Sequence, residues 1–413
     1  MKGNSERPWK ISASEASVKT VNKIRQIVDK LDLNKVPKDK PFISKERRSK
    51  KKKKIGHYYF VTIGDPTKFP NLKPSPEVTK AVRAALESTQ CNGYAPSFGV
   101  DEARIALAKQ YSYPHVKVDK SDVFLGSGCS DAINMAFGAL LDSGDNVLLP
   151  RPGFSFYETV CGRYDFECRF YNCLPDKGWN IDTKQLETLI DGRTKAILIN
   201  NPSNPCGSIL TRKNLEDVLQ VAKKHRIPII ADEIYDGMVF GEIPFIKKRQ
   251  AFVLQFSFFI YFFFWICNEK IKKLKGQRGI GPNSLIQAAL PTILAETPKS
   301  FYKQLNDTLR TQANLFHELF EKIPELKPIK AHGAMYMMVG IETKKMHLKD
   351  DVEFANLLLR EEGVLVLPGS IFGIPNYFRV VTCPPPDAIK EVAKRMDSFC
   401  KRHSSQRGNK AKL

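Results

Sequence analysis

The sequence predicts an α/β protein with a three-layer large domain built on a mostly parallel sheet, plus a smaller α+β domain closing the chain. Three observations carry the prediction. From Pro76 onward, short apolar runs alternate with helical patterns. The runs are continuously apolar, as strands covered on both faces are. Beyond Pro298 the order changes to a long helix, then strands and helices in mixed order. A chain of 413 residues with 42% hydrophobic content has material for two such cores. They are expected over residues 76–299 and 300–413, preceded by an N-terminal arm over 1–75 that contributes part of the small domain.

Val78–Ser88 and Asp101–Ser112 have helical spacing, and the second opens on Asp-Glu, which suits the positive end of a helix dipole. Asp122–Leu141 reads as strand, tight glycine turn, then helix. Asn146–Pro150, Lys195–Asn200 and Ile227–Glu233 are short buried-strand candidates, separated by helices predicted over Phe154–Gly162 and Thr211–Lys224. The closing part predicts a helix from Pro298 to Glu321, a strand over Met335–Ile341 and a helix over Asp350–Gly363. Strands over Val364–Pro368 and Tyr377–Thr382 and a last helix from Pro386 complete it.

Composition excludes several classes. Nine cysteines form an odd set without a Cys-x-x-Cys pair, against a disulfide framework or a structural zinc site, so no metal is expected. Met1–Lys19 lacks the apolar core of a secretory signal, and a cytoplasmic location is the expectation. The net charge of +21 is local. Residues 44–60 set eight basic side chains against one acidic, and residues 246–278 repeat that balance, so two short segments supply two thirds of it. Such runs are ordinarily solvated, and no nucleic-acid partner is expected. Inside the second segment, Phe252–Cys267 is the most apolar run of the chain. It has 16 residues, includes Gln255 and Ser257, and falls short of the ~20 that a spanning helix needs. No membrane span is expected.

Three short stretches carry chemistry. Gly126-Ser127-Gly128-Cys129-Ser130 lies between a strand and a helix start, where free backbone N–H groups and the dipole favour a phosphate; many ordinary turns carry glycine there too. Asn200–Gly207 follows a strand, beyond the carboxyl end where ligands bind in parallel sheets, although two Asn-Pro steps also make a good turn. Asp232, in Ala231-Asp232-Glu233-Ile234-Tyr235, ends an apolar run, and a carboxylate there is costly unless a cation meets it. A pyridine ring with a phosphate tail needs what these residues offer. Ser127, Gly128, Cys129 and Ser130 suit the phosphate, Asp232 the ring nitrogen, Asn204 and Tyr235 the ring oxygen, and Phe154 a ring face.

With GYAPSFG, SGCS, RPGFSFY, NNPSNPCGS, ADEIY, GPNS, GAMYMMVGIE and FRVV together, the chain resembles the fold-type I, class I pyridoxal-phosphate aminotransferases, and within them the tyrosine aminotransferase branch, from about Pro8 to His403. The resemblance implies pyridoxal 5′-phosphate in the large domain, amino acid and 2-oxo acid substrates, and transfer of an amino group from an aromatic amino acid to 2-oxoglutarate. It implies a homodimer in which Tyr94 reaches the phosphate of the neighbouring subunit. Arg379 would hold the substrate carboxylate, for which a bidentate guanidinium is suited. Gly64 would lie against substrate at the site entrance.

The chain departs from the family after ADEIY. The family places its cofactor-carrying lysine in a Ser-x-x-Lys-like segment and follows it with a Gly-x-Arg segment whose arginine binds phosphate; residues 246–278 hold no Ser-x-x-Lys, and Gly276-Gln277-Arg278 is their one Gly-x-Arg. No catalytic lysine is assigned. Lys270, Lys272, Lys273 and Lys275 are the nearest substitutes, with no strand pattern to fix them. Residues 44–60 interrupt another family block in the same way. Both segments are rich in Lys and Phe, whose codons can be all A or all T, so one reading covers both: untranslated A/T-rich gene sequence carried into the reading frame. Taken literally, the sequence describes a catalytically dead relative that binds cofactor weakly or acts as an interaction partner.

Overall fold

The computed structural model describes residues 71–114, 116–243 and 281–405, together with Ser14, Val18, Thr20, Lys23–Val28, Pro66 and Phe69. Gly64, the two basic segments, Phe252–Cys267 and Lys270, Lys272, Lys273 and Lys275 lie outside the described residues.

Helices α1 (Lys23–Val28), α2 (Pro76–Ser88) and α3 (Asp101–Tyr111) precede α4 (Cys129–Leu140). Strand β1 (Asn146–Arg151), helix α5 (Phe156–Tyr164), β2 (Glu167–Leu174), β3 (Asn180–Ile181), α6 (Thr183–Thr188), β4 (Thr194–Asn200), α7 (Arg212–His225) and β5 (Ile229–Asp232) follow. They make a five-stranded sheet ordered β3-β2-β1-β4-β5, parallel except for the short edge strand β3.

The central strands are apolar on both faces because both faces are covered. Val147 and Leu149 of β1 and Ala196 and Leu198 of β4 pack under Ile133 and Phe137 of α4 and Val160 of α5. The intervening Leu148, Ile197 and Ile199 face the opposite side, against Leu186 of α6 and Leu215, Val218 and Leu219 of α7. Side chains alternate along each strand while burial does not, giving the three layers. Helices α8 (Ser284–Glu296) and α2 pack on each other through Ala81, Ala85 and Ala289.

Helix α9 (Lys299–Glu321), β6 (Leu326–Pro328), β7 (Tyr336–Ile341), α10 (Asp351–Glu362), β8 (Leu367–Pro368), β9 (Tyr377–Val381) and α11 (Pro386–Ser405) build the second unit. Its antiparallel sheet, ordered β6-β7-β9-β8, carries an aromatic cluster on its helical face. Phe354 stacks on Phe378 at 5.3 Å and meets Phe399 edge-on at 5.4 Å. On the other face Met338 packs with Trp179 and Cys206, next to the large sheet.

The tie between the two sheets is a backbone crossing. The Gly207 carbonyl accepts from the amides of His332 (2.8 Å) and Gly333 (2.9 Å). Gly207 has φ +65°, and a Cβ there would stand 2.0 Å from the carbonyl oxygen of Tyr336, so glycine is required for both conformation and space.

Several local expectations shift. Asp122 closes a short 3₁₀ turn, and Val123–Gly126 is extended backbone with no ladder among the described residues, its Leu125 amide donating to the Phe98 carbonyl. The strand expected over Val364–Pro368 shortens to Leu367–Pro368. Strand β2 was not legible, because Glu167, Arg169 and Asn172 break its apolar pattern on a half-buried strand. Among the described residues no helix is long and apolar enough to cross a membrane.

Gly207→Ala should cost about 1–3 kcal/mol through strain at positive φ and the clash with Tyr336. Urea unfolding of the full chain reads the loss, and an unchanged midpoint would contradict the crossing.

Candidate active site

The site lies where the parallel strands end. Asn200 closes β4 and Asp232 closes β5, directly paired in register. Chain reversals after both strands leave polar side chains beyond the carboxyl edge of the sheet, the ordinary position for a ligand in this architecture.

Asp232 is 6% exposed. Its Oδ2 accepts from the Tyr157 hydroxyl at 2.7 Å, and its Oδ1 accepts from the Cys129 thiol at 3.4 Å and from the Ile234 amide at 3.2 Å. All three donors are neutral, and no ion pair among the described residues involves Asp232. Neutral donors occupy lone pairs but leave the charge itself uncompensated, and that charge is costly in so dry a place. Burial, and next the Asp232 carboxylate, push the Cys129 thiol up to about 12 and the Tyr157 hydroxyl well above the usual tyrosine value. Both groups therefore remain protonated donors at neutral pH.

Cys129 also begins α4, so its hydrogen bond ties the helix start to the carboxylate. Gly128 is the N-cap, with φ +85° and no side-chain cap. The first amides of a helix have no partner inside it, so those of Cys129 and Ser130 point out of the helix end with the dipole behind them. Ser127, Gly128 and Ser130 are exposed there, and the Ser127 amide donates to the Asp131 carboxylate at 3.1 Å.

A second set converges from the asparagine loop and the small sheet. Asn200 Nδ2 and the Asn201 amide both donate to the Asp232 carbonyl, while Asn200 Oδ1 accepts from the Asn204 amide at 2.6 Å. The loop is thereby stitched to the end of β5. Asn204 Oδ1 then accepts from Nη1 of Arg379, on β9, at 2.8 Å. Arg379 is 3% exposed, its guanidinium carbon 4.4 Å from the Tyr336 ring centroid and 4.9 Å from that of Phe372. Burial holds this guanidinium below the usual arginine value, against the opposing influence of Tyr336 and Tyr235. The Tyr235 hydroxyl stands 3.0 Å from that of Tyr336, with the rings edge-on.

The structure thus brings Cys129, Asp232, Tyr235, Asn204 and Arg379 into one connected network, with Phe154 joined to it through its edge-on contact with Tyr157 at 5.8 Å. Tyr94 stands 91% exposed on the surface, and none of the contacts among the described residues joins it to this group. Three participants escaped the sequence reading. Tyr157 follows Phe154 by one helical turn in RPGFSFY, a spacing that could have singled it out. Tyr336 and Phe372 sit in apolar runs that look like core.

The set fits a pyridoxal phosphate. The observation that carries the fit is the buried Asp232 carboxylate, which a protonated ring nitrogen would neutralise. The helix start offers amides to the phosphate, and Asn204 Nδ2 and the Tyr235 hydroxyl suit the ring oxygen.

Comparison with known proteins agrees. The family model for aminotransferase class I and II matches residues 61–258 and 269–396, with its break inside the apolar run. The chain is 38% identical to a tyrosine aminotransferase of Mus musculus over 425 aligned positions, covering 97% of this chain and 90% of that protein. It is 35% identical to one of Dictyostelium discoideum, covering 97% and 99%. The crystal structure of a tyrosine aminotransferase from Leishmania infantum superposes with a TM-score of 0.82 at 28% identity, covering 96% and 99%.

Because its thiol is held up to about 12, Cys129 should be alkylated by iodoacetamide at pH 8.5 about 10³-fold more slowly in the folded chain than in urea, through its scarce thiolate. Mass spectrometry of the labelled peptide reads the rate. Equal rates in both states would contradict the burial of the thiol beside Asp232.

Proposed function

The chain belongs to the class I and II aminotransferases, and from that premise we propose a scaffold built to exchange the amino group of an aromatic amino acid, tyrosine first, with 2-oxoglutarate. The names of the full-length relatives support the substrate, and Arg379 beside Asn204 supports a carboxylate site at the heart of it. The cofactor is pyridoxal 5′-phosphate. When bound it supplies a carbonyl that trades places with the amino group and a ring that withdraws electrons from the substrate.

The chain's own groups set the rest. The amides of Cys129 and Ser130 hold the phosphate. Asp232 keeps the proton on the ring nitrogen, and Tyr157 and Cys129 hold that carboxylate in orientation. Asn204 has committed its carbonyl oxygen to Arg379, so its Nδ2 is the atom that faces the ring oxygen, beside the Tyr235 hydroxyl. Phe154 covers a ring face. Arg379 takes the substrate carboxylate as a planar pair of donors. Tyr94, exposed on the surface, supports a homodimer in which it serves the neighbouring site.

The sequence as written lacks the family's lysine segment, and a positioned proton-transfer group alone contributes about 10²–10⁴-fold to such a reaction. The proposal for this chain is therefore cofactor and substrate binding with turnover depressed by at least that factor. Lys270, Lys272, Lys273 and Lys275 would have to stand within about 1 Å of a productive position to replace it, since that error alone costs about 10²-fold. The same absence supports the second reading, a relative that binds without turning over.

Three outcomes are expected. Borohydride reduction of the chain with pyridoxal phosphate should leave no cofactor on a lysine, and mass spectrometry showing one modified lysine in 246–278 would reverse the assignment of inactivity. Asp232→Asn should weaken pyridoxamine phosphate binding about 10²–10³-fold, as loss of one partner of a buried charge pair does; equilibrium dialysis measures it, and an unchanged Kd sinks the role given to Asp232. Sequencing the mature transcript across codons 245–281 should return a message without the apolar run if that run is untranslated gene sequence.

A further inference from the structure

Beside the Asn204–Arg379 hydrogen bond, a second tie between the substrate carboxylate site and the cofactor-ring site runs through Tyr336. Its side chain is buried at the start of β7, 3% exposed, and touches both halves of the site at once. The ring face lies 4.4 Å from the guanidinium carbon of Arg379. The hydroxyl lies 3.0 Å from the hydroxyl of Tyr235, whose ring meets it edge-on at 84°. The backbone leaves it little freedom. Tyr336 pairs with Val381 across the sheet, and its carbonyl is pressed against Gly207 of the asparagine loop. Resting on the reading above, we propose that Tyr336 is a positioning residue that couples the two sites: its ring seats the guanidinium that binds the substrate carboxylate, and its hydroxyl aims that of Tyr235 at the ring oxygen.

The physical reason lies in how the two contacts differ. A cation over an aromatic face is held by the ring and is indifferent to the hydroxyl proton. Two phenols 3.0 Å apart share one hydrogen bond, in which one donates and the other accepts. Tyr235 can give its proton to a cofactor oxygen only while Tyr336 donates to it. A carboxylate arriving at Arg379 changes the field on the same ring and so bears on that choice. Phenylalanine at this position would fill the space and seat Arg379 equally well, but would leave Tyr235 without its partner.

The two contacts separate by mutation. In the full-length chain, Tyr336→Phe keeps the ring and removes the hydroxyl, while Tyr336→Leu removes both; thermal unfolding confirms that each folds. Pyridoxamine 5′-phosphate is bound first and its near-ultraviolet absorbance is recorded from pH 6 to 10, with and without 3-(4-hydroxyphenyl)propanoate, whose own Kd is also measured. Tyr336→Phe is expected to leave the propanoate Kd within about twofold but to shift the absorbance titration and to halve or abolish the further shift that the propanoate causes. Tyr336→Leu is expected to weaken the propanoate about thirtyfold, the size of a desolvated cation–π contact. A Tyr336→Phe titration identical to wild type, or a Tyr336→Leu Kd identical to wild type, overturns the coupling alone. A wild-type chain that binds no pyridoxamine phosphate overturns the aminotransferase reading as well.

Discussion

A carboxylate sits at the dry end of β5 with a hydroxyl, a thiol and an amide around it and no cation beside it among the described residues. Much of the surrounding structure is needed to keep it there. A carboxylate in a dry interior is costly, and hydrogen bonds from neutral donors offset part of that cost. Tyr157 must therefore reach the strand end from α5, and α4 must begin where it does so that Cys129 can point back. The asparagine loop grips the backbone of the same residue through Asn200 and Asn201. Three segments far apart in sequence are tied to one residue, two through its carboxylate and one through its backbone carbonyl.

The second unit is drawn into the same network through Arg379. A buried guanidinium is as demanding as a buried carboxylate, and it is accommodated by two aromatic faces and the Asn204 carbonyl. The crossing at Gly207 sets the distance at which this occurs. Because the His332 and Gly333 amides hang on the Gly207 carbonyl, the start of β7 has one place to pass, and Tyr336 arrives between the loop and the arginine. The groups proposed for the ring and for the substrate carboxylate thus come from different sheets and share one hydrogen-bonded loop.

How much of this could be read from sequence depends on whether a residue's role opposes its surroundings. Asp232 stood out because a carboxylate at the end of an apolar strand needs a cation, Asn204 because it follows a strand at the edge where ligands bind, and Gly128 because it lies in a tight turn before a helix start. The parallel sheet was legible in its unbroken apolar runs. Tyr157 and Tyr336 were not, since an aromatic residue in an apolar stretch satisfies the core whether or not its hydroxyl has work to do. Strand β2 failed for the opposite reason: Glu167 and Arg169 pair with each other on a half-buried strand, so polarity there signals an ion pair and not a turn.

Cofactor retention and turnover separate along the chain. The groups proposed for phosphate, ring nitrogen, ring oxygen and carboxylate lie at the start of α4, at and beyond the ends of β4 and β5, and on β9, held by one another and by Tyr157 of α5 and Tyr336 of β7. Those contacts lie within the described residues, and the segment where the family keeps its lysine, residues 246–278, lies outside them. Recognition by hydrogen bonds and charge needs only that these elements stay folded, whereas proton transfer needs one further group placed to within a fraction of an ångström. Under the proposed reading, a chain that keeps the first and lacks the second binds its cofactor with turnover depressed.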